Sequence, residues 1–337
     1  MMTGFQQEIV NDVRSRARTL AGRLVFTDGE DERVVKAACE LANHFRIEPI
    51  LIGRKSIIRR LLPSFYDQSQ MEILDLTDPV QQHFVEKKWE TSGLTGLLPE
   101  WFHDPCYVGA LLVRENAASG MIGGASAPTS TIIRAGIRIV GVQSTGALVS
   151  GCFGMILPNR LPHGTGILTF GDAAVVPRPT AEQLARIAVN TASVAQQVFD
   201  EDPVVALLSF STKGSAEHAD VDVVQEAAME LSQLSAPFTF DGELQADSAI
   251  VPEVSDKKAP HSPVGGRANV LIFPNLDAAN IAYKLVQRLA GAVALGVILS
   301  GFACPVNDLS RGCDADDVVN IAAVTMLQSQ SVMTGNP

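Results

Sequence analysis

The stretch RLVFTDGEDERVVKAACELANHFRIEPILIG, residues 23–53, decides the fold class of this chain. A short apolar segment ending in acid leads through a polar turn into a run with helical periodicity, and a second apolar segment closes the stretch. A strand, a turn, a helix and a second strand in this order are typical of a parallel sheet covered by helices. The stretch therefore predicts an α/β fold.

The same order of segments recurs along the chain. ASGMIGG (118–124) leads into STIIRAGIRIV, DPVVALLSFS (202–211) leads into DVDVVQEAAMELSQL, and ANVLIFPNL (268–276) leads into ANIAYKLVQRLAGA. Several of the predicted strands end in small or polar residues, and ligands of open α/β sheets gather at the carboxyl ends of the strands. These strand ends predict a broad polar cleft.

Length and composition narrow the class of protein further. At 337 residues the chain is long enough for two domains, and its net charge of −11 argues against a nucleic-acid partner. No apolar run reaches membrane-spanning length, and the N-terminus does not read as a secretory signal. The five cysteines are scattered without a CxxC pair, which argues against a metal site and a disulfide framework. We therefore expect a cytoplasmic protein without a metal, a nucleic-acid partner or a membrane partner.

A polar loop near the C-terminus, NDLSRGCDADD (307–317), is a candidate for a catalytic or anion-binding site. The hydroxyl, guanidinium and carboxylates of interest belong to Ser310, Arg311, Asp316 and Asp317. The apolar run VVNIAAVTMLQ follows at once, and acidic residues before such a run predict a helix start. Because helix N-termini favour anions, a fixed cation and a carboxylate base at this place suit reactions of a phosphate or an acyl group.

Five long segments of the C-terminal half carry a specific resemblance. They are PTAEQLARIAV (179–189), LLSFSTKGSA (207–216), FDGELQADSAIVPEV (240–254), KAPHSPVGGRANVLIFPNLDAANIAYKLVQRL (258–289) and PVNDLSRGCDADDVV (305–319). In this order and spacing they resemble the phosphate acetyltransferase (phosphotransacetylase) family, in the short form that lacks an N-terminal regulatory region. The N-terminal half follows the same order of elements and is more divergent.

The resemblance implies a fold, a reaction and an assembly. The implied fold is two α/β/α domains of the isocitrate/isopropylmalate dehydrogenase type, one formed by residues 1–148 with 296–337 and the other by 149–295, with the active site in the cleft between them. The implied reaction transfers an acetyl group reversibly between acetyl phosphate and coenzyme A, by direct thiol attack in a ternary complex. Both molecules are substrates, no cofactor is required, and the expected assembly is a homodimer serving acetate metabolism in the cytoplasm.

This chemistry requires a base for the thiol, stabilisation of the oxyanion and a hold on the phosphate. The resemblance assigns Asp317 as the base and Ser310 and Arg311 as stabilising groups. It adds substrate-binding candidates, namely Arg134, Arg33, Thr129, Ser150 and Arg288. Arg33 is implied to contact coenzyme A phosphates, and Arg134 the acyl phosphate.

Each candidate also has a purely structural interpretation. Asp317 could complement the helix dipole, and Ser310 could cap the helix. Arg33 could pair with Glu30 on a helix surface, and Arg288 could belong to a solvated stripe of side chains.

The chain departs from the family pattern in its N-terminal half. KKWETSG (87–93) has Trp89 where members commonly have an arginine, and ASAPTST (125–131) replaces the usual turn, with Thr129 persisting. These changes leave two alternatives open. One is transfer of a propionyl or butyryl group, and the other is a non-catalytic module that senses coenzyme A.

Overall fold

The computed structural model describes residues 2–63, 70–96, 98–144, 147–161 and 164–334. The chain divides into two compact units: unit 1 comprises residues 1–10 and 146–301, and unit 2 comprises residues 11–145 and 302–337. Unlike the predicted division, the N-terminal ten residues belong with unit 1. The physical reason is the Gln6 amide, which donates hydrogen bonds to the carbonyl oxygens of Ile156 and Gly291, each at 2.9 Å.

Strands and helices alternate along much of the chain. The strands are β1 (Ala21–Phe26), β2 (Arg46–Ile52), β3 (Glu72–Leu74), β4 (Gly120–Gly123), β5 (Ser150–Ile156), β6 (Ile167–Gly171), β7 (Val204–Leu208), β8 (Thr239–Leu244), β9 (Val270–Ile272), β10 (Val293–Ser300) and β11 (Val306–Asp308). The α-helices are α1 (Gly4–Arg18), α2 (Glu32–His44), α3 (Lys55–Leu61), α4 (Pro79–Thr91), α5 (Pro105–Arg114), α6 (Thr129–Ala135), α7 (Ala181–Phe199), α8 (Ala219–Gln233), α9 (Ala246–Ile250), α10 (Pro252–Lys258), α11 (Leu276–Leu289) and α12 (Ala315–Thr334). A 3₁₀ turn covers Pro99–Phe102, and a π-helical turn, Gly136–Val140, continues α6.

Unit 2 contains the predicted parallel sheet. Its five strands lie in the order β11-β4-β1-β2-β3, and every pairing is parallel. The segment 23–53 forms β1, α2 and β2 as its sequence predicts, because α2 buries an apolar stripe that includes Val34, Ala38 and Leu41. The sheet places β11, near the C-terminus, beside β4, so residues almost two hundred positions apart end at the same edge.

Unit 1 contains a mixed sheet, which differs from the parallel one that the repeated segments predict. Its six strands lie in the order β10-β5-β6-β9-β7-β8, and β5 pairs antiparallel with both β10 and β6. One face of the sheet packs against α7 and α8 through a cluster that includes Leu184, Val224 and Leu231. The other packs against the helical segment 246–289 through a cluster that includes Ala249, Val264 and Ala279. Each face of this sheet is thus covered by helices.

Within the described ranges, none of the helices combines the length and the apolar character needed to cross a lipid bilayer.

Candidate active site

The candidate site lies in unit 2, where β1, β4 and β11 end side by side. Asp28 follows β1, and its carboxylate accepts hydrogen bonds from four consecutive backbone N–H groups in the turn after β4. Oδ2 accepts from Gly124 at 2.8 Å and Ala125 at 3.2 Å, and Oδ1 accepts from Ser126 at 3.0 Å and Ala127 at 3.2 Å. The protein's own carboxylate therefore occupies a turn whose N–H groups would otherwise suit an anion.

Gly124 is required where the turn meets β11. Its φ is +101°, and a Cβ at this position would lie 2.1 Å from Oδ1 of Asp308. Both the backbone conformation and the close approach exclude a larger residue. The backbone of the turn after β4 therefore packs directly against the end of β11, without a side chain at position 124 between them.

Asp308 is a buried acid that sequence reasoning missed. Only 3% of the residue is exposed, and its Oδ2 accepts a hydrogen bond of 2.6 Å from the hydroxyl of Thr129, the first residue of α6. Among the described residues, its Oδ1 has no hydrogen-bond partner. Burial raises the pKa of Asp308 to about 6, and the nearby charge of Asp28 acts in the same direction.

Asp308→Asn should stabilise the protein at neutral pH and much less in acid. The folded protein retains the Asp308 proton up to a pKa of about 6, whereas the ordinary value is 3.8, so stability falls as the pH rises through this window. A shift of this size corresponds to at most about 3 kcal/mol. Thermal unfolding midpoints should be higher for the variant at about pH 7.5, and the difference from wild type should shrink as the pH falls and vanish only below the ordinary pKa of 3.8. A difference in unfolding midpoint between variant and wild type that does not change with pH would contradict an ionised, buried Asp308.

Arg33 joins the two polar loops of the site. Its Nε and one Nη2 N–H donate to the carboxylate of Asp31, at 2.9 and 2.7 Å. The remaining N–H groups donate to the carbonyl oxygens of Arg311 at 2.8 Å, Cys313 at 2.9 Å and Ala125 at 3.1 Å.

These five hydrogen bonds revise both interpretations of Arg33. Because a guanidinium has five N–H donors, none remains for a coenzyme A phosphate in this arrangement. The expected surface pair with Glu30 is also absent from the contacts of the described residues, since Glu30 binds Arg54 at 2.7 Å. Arg33 instead holds the loop after β11 against the turn after β4.

The loop after β11 presents Ser310 and Arg311 to solvent. The Ser310 hydroxyl accepts the N–H of Gly312 at 3.2 Å, and its carbonyl accepts the N–H of Cys313 at 3.0 Å. Both side chains are exposed, and within the described ranges the Arg311 guanidinium has no hydrogen-bond or ion-pair partner. Cys313 is buried, and this burial raises the pKa of its thiol, which keeps it protonated and unreactive. The loop is thus a tight turn that exposes a hydroxyl and a cation.

Asp317 lies in the first turn of α12 and forms a reciprocal cap with Asp314. Its carboxylate accepts the N–H of Asp314 at 3.1 Å, and the Asp314 carboxylate accepts the N–H of Asp317 at 2.9 Å. Asp314, not Ser310, therefore caps this helix. Loss of water around the carboxylate raises the pKa of Asp317, and the charges of Asp314 and Asp316 raise it further. Asp317 combines a capping role with the raised pKa that suits a base.

Arg134, in the last turn of α6, lines a cavity of about 470 Å³. The cavity is formed within unit 2 by Gly96, Leu98, Glu100, Trp101, Asp104, Tyr107, Thr131, Arg134 and Arg138. Trp101 and Tyr107 stack with their ring centroids 4.6 Å apart. Burial raises the pKa of the Tyr107 hydroxyl, and the nearby charge of Arg134 opposes this rise. The cavity therefore offers two guanidinium groups beside an aromatic wall, a combination that suits a small anion with an apolar end.

Trp89 belongs to the core and not to the lining of this cavity. It is 2% exposed and stacks on Phe102 with ring centroids 5.4 Å apart. The ammonium nitrogen of the neighbouring Lys88 lies 5.1 Å from the centre of the Phe84 ring. The position where family members commonly carry an arginine has become a hydrophobic support for the segment that carries Trp101.

Two predicted site residues, Ser150 and Arg288, lie in unit 1. Ser150, the first residue of β5, is 3% exposed, and its hydroxyl accepts a hydrogen bond of 2.9 Å from Asn190. Its burial against α7 argues against direct contact with a substrate. Arg288 is exposed in the last turn of α11, where a cation complements the helix dipole.

The acids Asp28 and Asp308 are the main omissions of the sequence analysis. Each directly follows or ends a short apolar strand, a position at which carboxylates often serve a site in α/β proteins. This signal was present in RLVFTD and PVND. Their partners were not predictable, because the hydrogen bonds span 96–99 residues for Asp28 and 179 residues for Asp308.

Comparison with known proteins finds similarity to one family over nearly the full length of the chain. The family model for phosphate acetyl/butaryl transferases matches residues 8–326. A phosphate acetyltransferase of Thermoanaerobacterium thermosaccharolyticum is 40% identical over 328 residues, which cover 96% of this chain and 99% of that protein. The crystal structure of a phosphotransacetylase from Streptococcus pyogenes matches with a TM-score of 0.86 and 37% identity, over 96% of this chain and 99% of that one.

A more distant likeness concerns the fold alone. A 4-hydroxythreonine-4-phosphate dehydrogenase from Klebsiella pneumoniae matches with a TM-score of 0.50 and 10% identity, over 93% of this chain and 99% of that one. The likeness agrees with the predicted dehydrogenase-type α/β fold.

Proposed function

Because this chain belongs to the phosphate acetyl/butaryl transferase family, we propose that the site in unit 2 transfers an acetyl group between acetyl phosphate and coenzyme A. The protein is an acyltransferase, as its relatives are, and both reactants are its substrates. The reaction is a substitution at a carbonyl carbon, with no change of oxidation state, and it calls for no redox cofactor. The comparisons confirm the membership of the phosphate acetyltransferase family that the five C-terminal segments predicted.

Asp317 supplies the base in this proposal. The thiol of coenzyme A loses its proton to the Asp317 carboxylate and attacks the carbonyl carbon of acetyl phosphate in a ternary complex. The bond from this carbon to the phosphate oxygen then breaks, and phosphate leaves with the electron pair. A raised pKa brings the carboxylate closer to the acidity at which a base accepts and returns a proton efficiently.

The negative charge of the phosphate and of the developing oxyanion is stabilised by Ser310, Arg311 and Arg134. The Ser310 hydroxyl has its proton available for a ligand, since its contact within the loop is as an acceptor from Gly312. Arg311 presents a planar fork of N–H donors that matches a phosphate or an oxyanion. Arg134, which lines the cavity beside Tyr107, holds the phosphate end of the acyl phosphate there.

The observation that carries the proposal is the exposed Ser310–Arg311 turn, held by Arg33 next to a carboxylate of raised pKa. The direct test mixes the protein with coenzyme A and acetyl, propionyl or butyryl phosphate. The ultraviolet absorbance of the thioester then reports its formation. Turnover with acetyl phosphate supports the proposal, and turnover with butyryl phosphate alone would replace it with a longer-chain transferase. Binding of coenzyme A without any turnover would favour the non-catalytic module.

We further propose that the protein forms a homodimer through α11. This helix packs one side on the sheet of unit 1 and exposes Ile281 (59%), Leu285 (51%) and Leu289 (82%) at i, i+4 spacing. Asp277 lies at the first turn of the helix and Arg288 at the last. In an antiparallel pair of these helices about a two-fold axis, each apolar stripe covers the other, and the acidic end of one helix meets the basic end of its partner.

Leu285→Glu should convert the dimer to a monomer, because it places a charge in the middle of the stripe. Size-exclusion chromatography with light scattering gives the mass. Met229→Glu on α8, at a residue with 57% exposure outside the stripe, is the matched control and should leave the dimer intact. A wild-type monomer, or a Leu285→Glu dimer, would contradict this interface.

We propose a cytoplasmic location for the reaction. All five cysteines are free thiols, in keeping with a reducing compartment.

A further inference from the structure

One short hydrogen bond connects the two segments that carry the proposed substrate ligands. Thr129 begins α6, whose last turn carries Arg134, and Asp308 ends β11, two residues before Ser310. The Thr129 hydroxyl donates to Oδ2 of Asp308 at 2.6 Å. The contact therefore lies at the start of both segments, where a small displacement is passed to every residue that follows.

The other contacts of the turn do not fix the start of α6. Asp28 binds the N–H groups of residues 124–127 and reaches no further. Arg33 holds the carbonyl oxygen of Ala125. Pro128, at the N-cap of α6, makes no side-chain cap hydrogen bond. Among the described residues, the bond from Thr129 to Asp308 is a side-chain hydrogen bond that anchors the first turn of this helix to β11, beside the packing of buried Ile132.

The acceptor of this bond, Asp308, destabilises the folded protein. Asp308 is almost completely buried, the charge of Asp28 is nearby, and Oδ1 of Asp308 lacks a partner among the described residues. A buried carboxylate oxygen without a hydrogen bond destabilises a folded protein, and an asparagine would be a cheaper acceptor for Thr129. A carboxylate kept at such a place needs an explanation other than stability.

We propose that Asp308 and Thr129 form a positioning pair, in which the charged carboxylate holds the first turn of α6 and thereby sets the place of Arg134 relative to Ser310 and Arg311. A charged acceptor makes a shorter and stronger hydrogen bond than a neutral one, so the pair fixes the helix more tightly than an amide would. This inference rests on the proposed function, since Arg134, Ser310 and Arg311 are ligands only in that reaction.

The pair also changes the role assigned to Thr129. A hydroxyl has one proton, and the Thr129 proton is donated to Asp308. Thr129 is therefore a positioning residue in this proposal, whereas the family resemblance listed it as a substrate-binding residue.

The test compares four variants: Thr129→Val, which keeps the shape and removes the donor; Thr129→Ser, which keeps the donor; Asp308→Leu, which removes the acceptor; and the Thr129→Val/Asp308→Leu double variant. For Thr129→Val we expect kcat/KM for acetyl phosphate to fall by about 10–100-fold, through a higher KM, with the KM for coenzyme A unchanged. Thr129→Ser should retain wild-type constants. Since the two residues act through one bond, the double variant should be no worse than the poorer single variant.

Additive losses in the double variant would overturn the positioning pair, as would wild-type constants for Thr129→Val. If Asp308→Leu does not fold, the contrast between Thr129→Val and Thr129→Ser still decides. Calorimetric binding of inorganic phosphate gives a second readout, because a displaced Arg134 should weaken it by a similar factor in Thr129→Val. A wild-type protein without turnover would count against the proposed function, whereas the phosphate affinities of the two Thr129 variants would still test the pair.

Discussion

Asp317→Asn is expected to slow acetyl transfer by about 10²–10⁴-fold, the usual contribution of a general base. The asparagine side chain keeps an oxygen that can accept the N–H of Asp314, so the cap of α12 and the fold around it should persist. The variant loses the ability to take a proton from the thiol. The affinity for coenzyme A should therefore stay close to that of wild type while kcat falls.

The pH profile separates this role from a purely structural one. The pKa of Asp317 is raised by loss of water and by neighbouring carboxylates, so the acid limb of the wild-type kcat profile should lie above the ordinary range of aspartate. Activity should fall as the pH drops through this limb, because the protonated carboxyl cannot act as a base, and the limb should be absent from Asp317→Asn. Asp316→Asn is the matched control: it leaves the base in place, so kcat above the acid limb should equal that of wild type. Because the charge of Asp316 helps to raise the pKa of Asp317, its removal should move the limb to lower pH. An Asp317→Asn enzyme with wild-type turnover would remove this residue from the mechanism.

Arg311→Gln is expected to reduce kcat by about 10²–10³-fold, the range found for loss of a group that stabilises an oxyanion. Arg311 is exposed, and in the described part of the chain its guanidinium makes no ion pair or hydrogen bond. Its contribution to folding passes through its backbone carbonyl, which Arg33 holds and which the substitution leaves in place. The loss should therefore appear in the rate and leave the thermal unfolding midpoint unchanged.

Arg311→Lys distinguishes charge from shape at the same position. A lysine keeps the positive charge but cannot present two parallel N–H groups, so an intermediate rate is expected. Arg59→Gln, on the exposed side of α3, is the control for removing an arginine from unit 2 and should leave kcat as it is. Full activity in Arg311→Gln would show that Ser310 and Arg134 suffice to stabilise the charge.

Features that depend on contacts between neighbouring residues were predictable from the sequence, whereas features that depend on distant residues were not. The strands and helix of segment 23–53, and the start of α12 after Asp314, depend on local periodicity and capping, and the structure has them as predicted. The antiparallel pairings of β5 and the seating of residues 1–10 in unit 1 depend on partners far away in the chain, and sequence patterns gave no sign of them. Arg33 illustrates the same limit within the site, since three of its acceptors are backbone carbonyls 92–280 residues distant.

By itself, the sequence determined the α/β class, the family, and the loop that carries Ser310, Arg311 and Asp317, because each of these is written in contiguous residues. Only the tertiary structure decided that Asp28 fills the turn after β4, that Arg33 ties two loops together, and that Asp308 is buried beneath Thr129. The physical reason is the parallel order β11-β4-β1, which brings the ends of three distant strands to one edge. Hydrogen bonds and burial at that edge, and not residue type, determine which polar groups are left to meet a substrate.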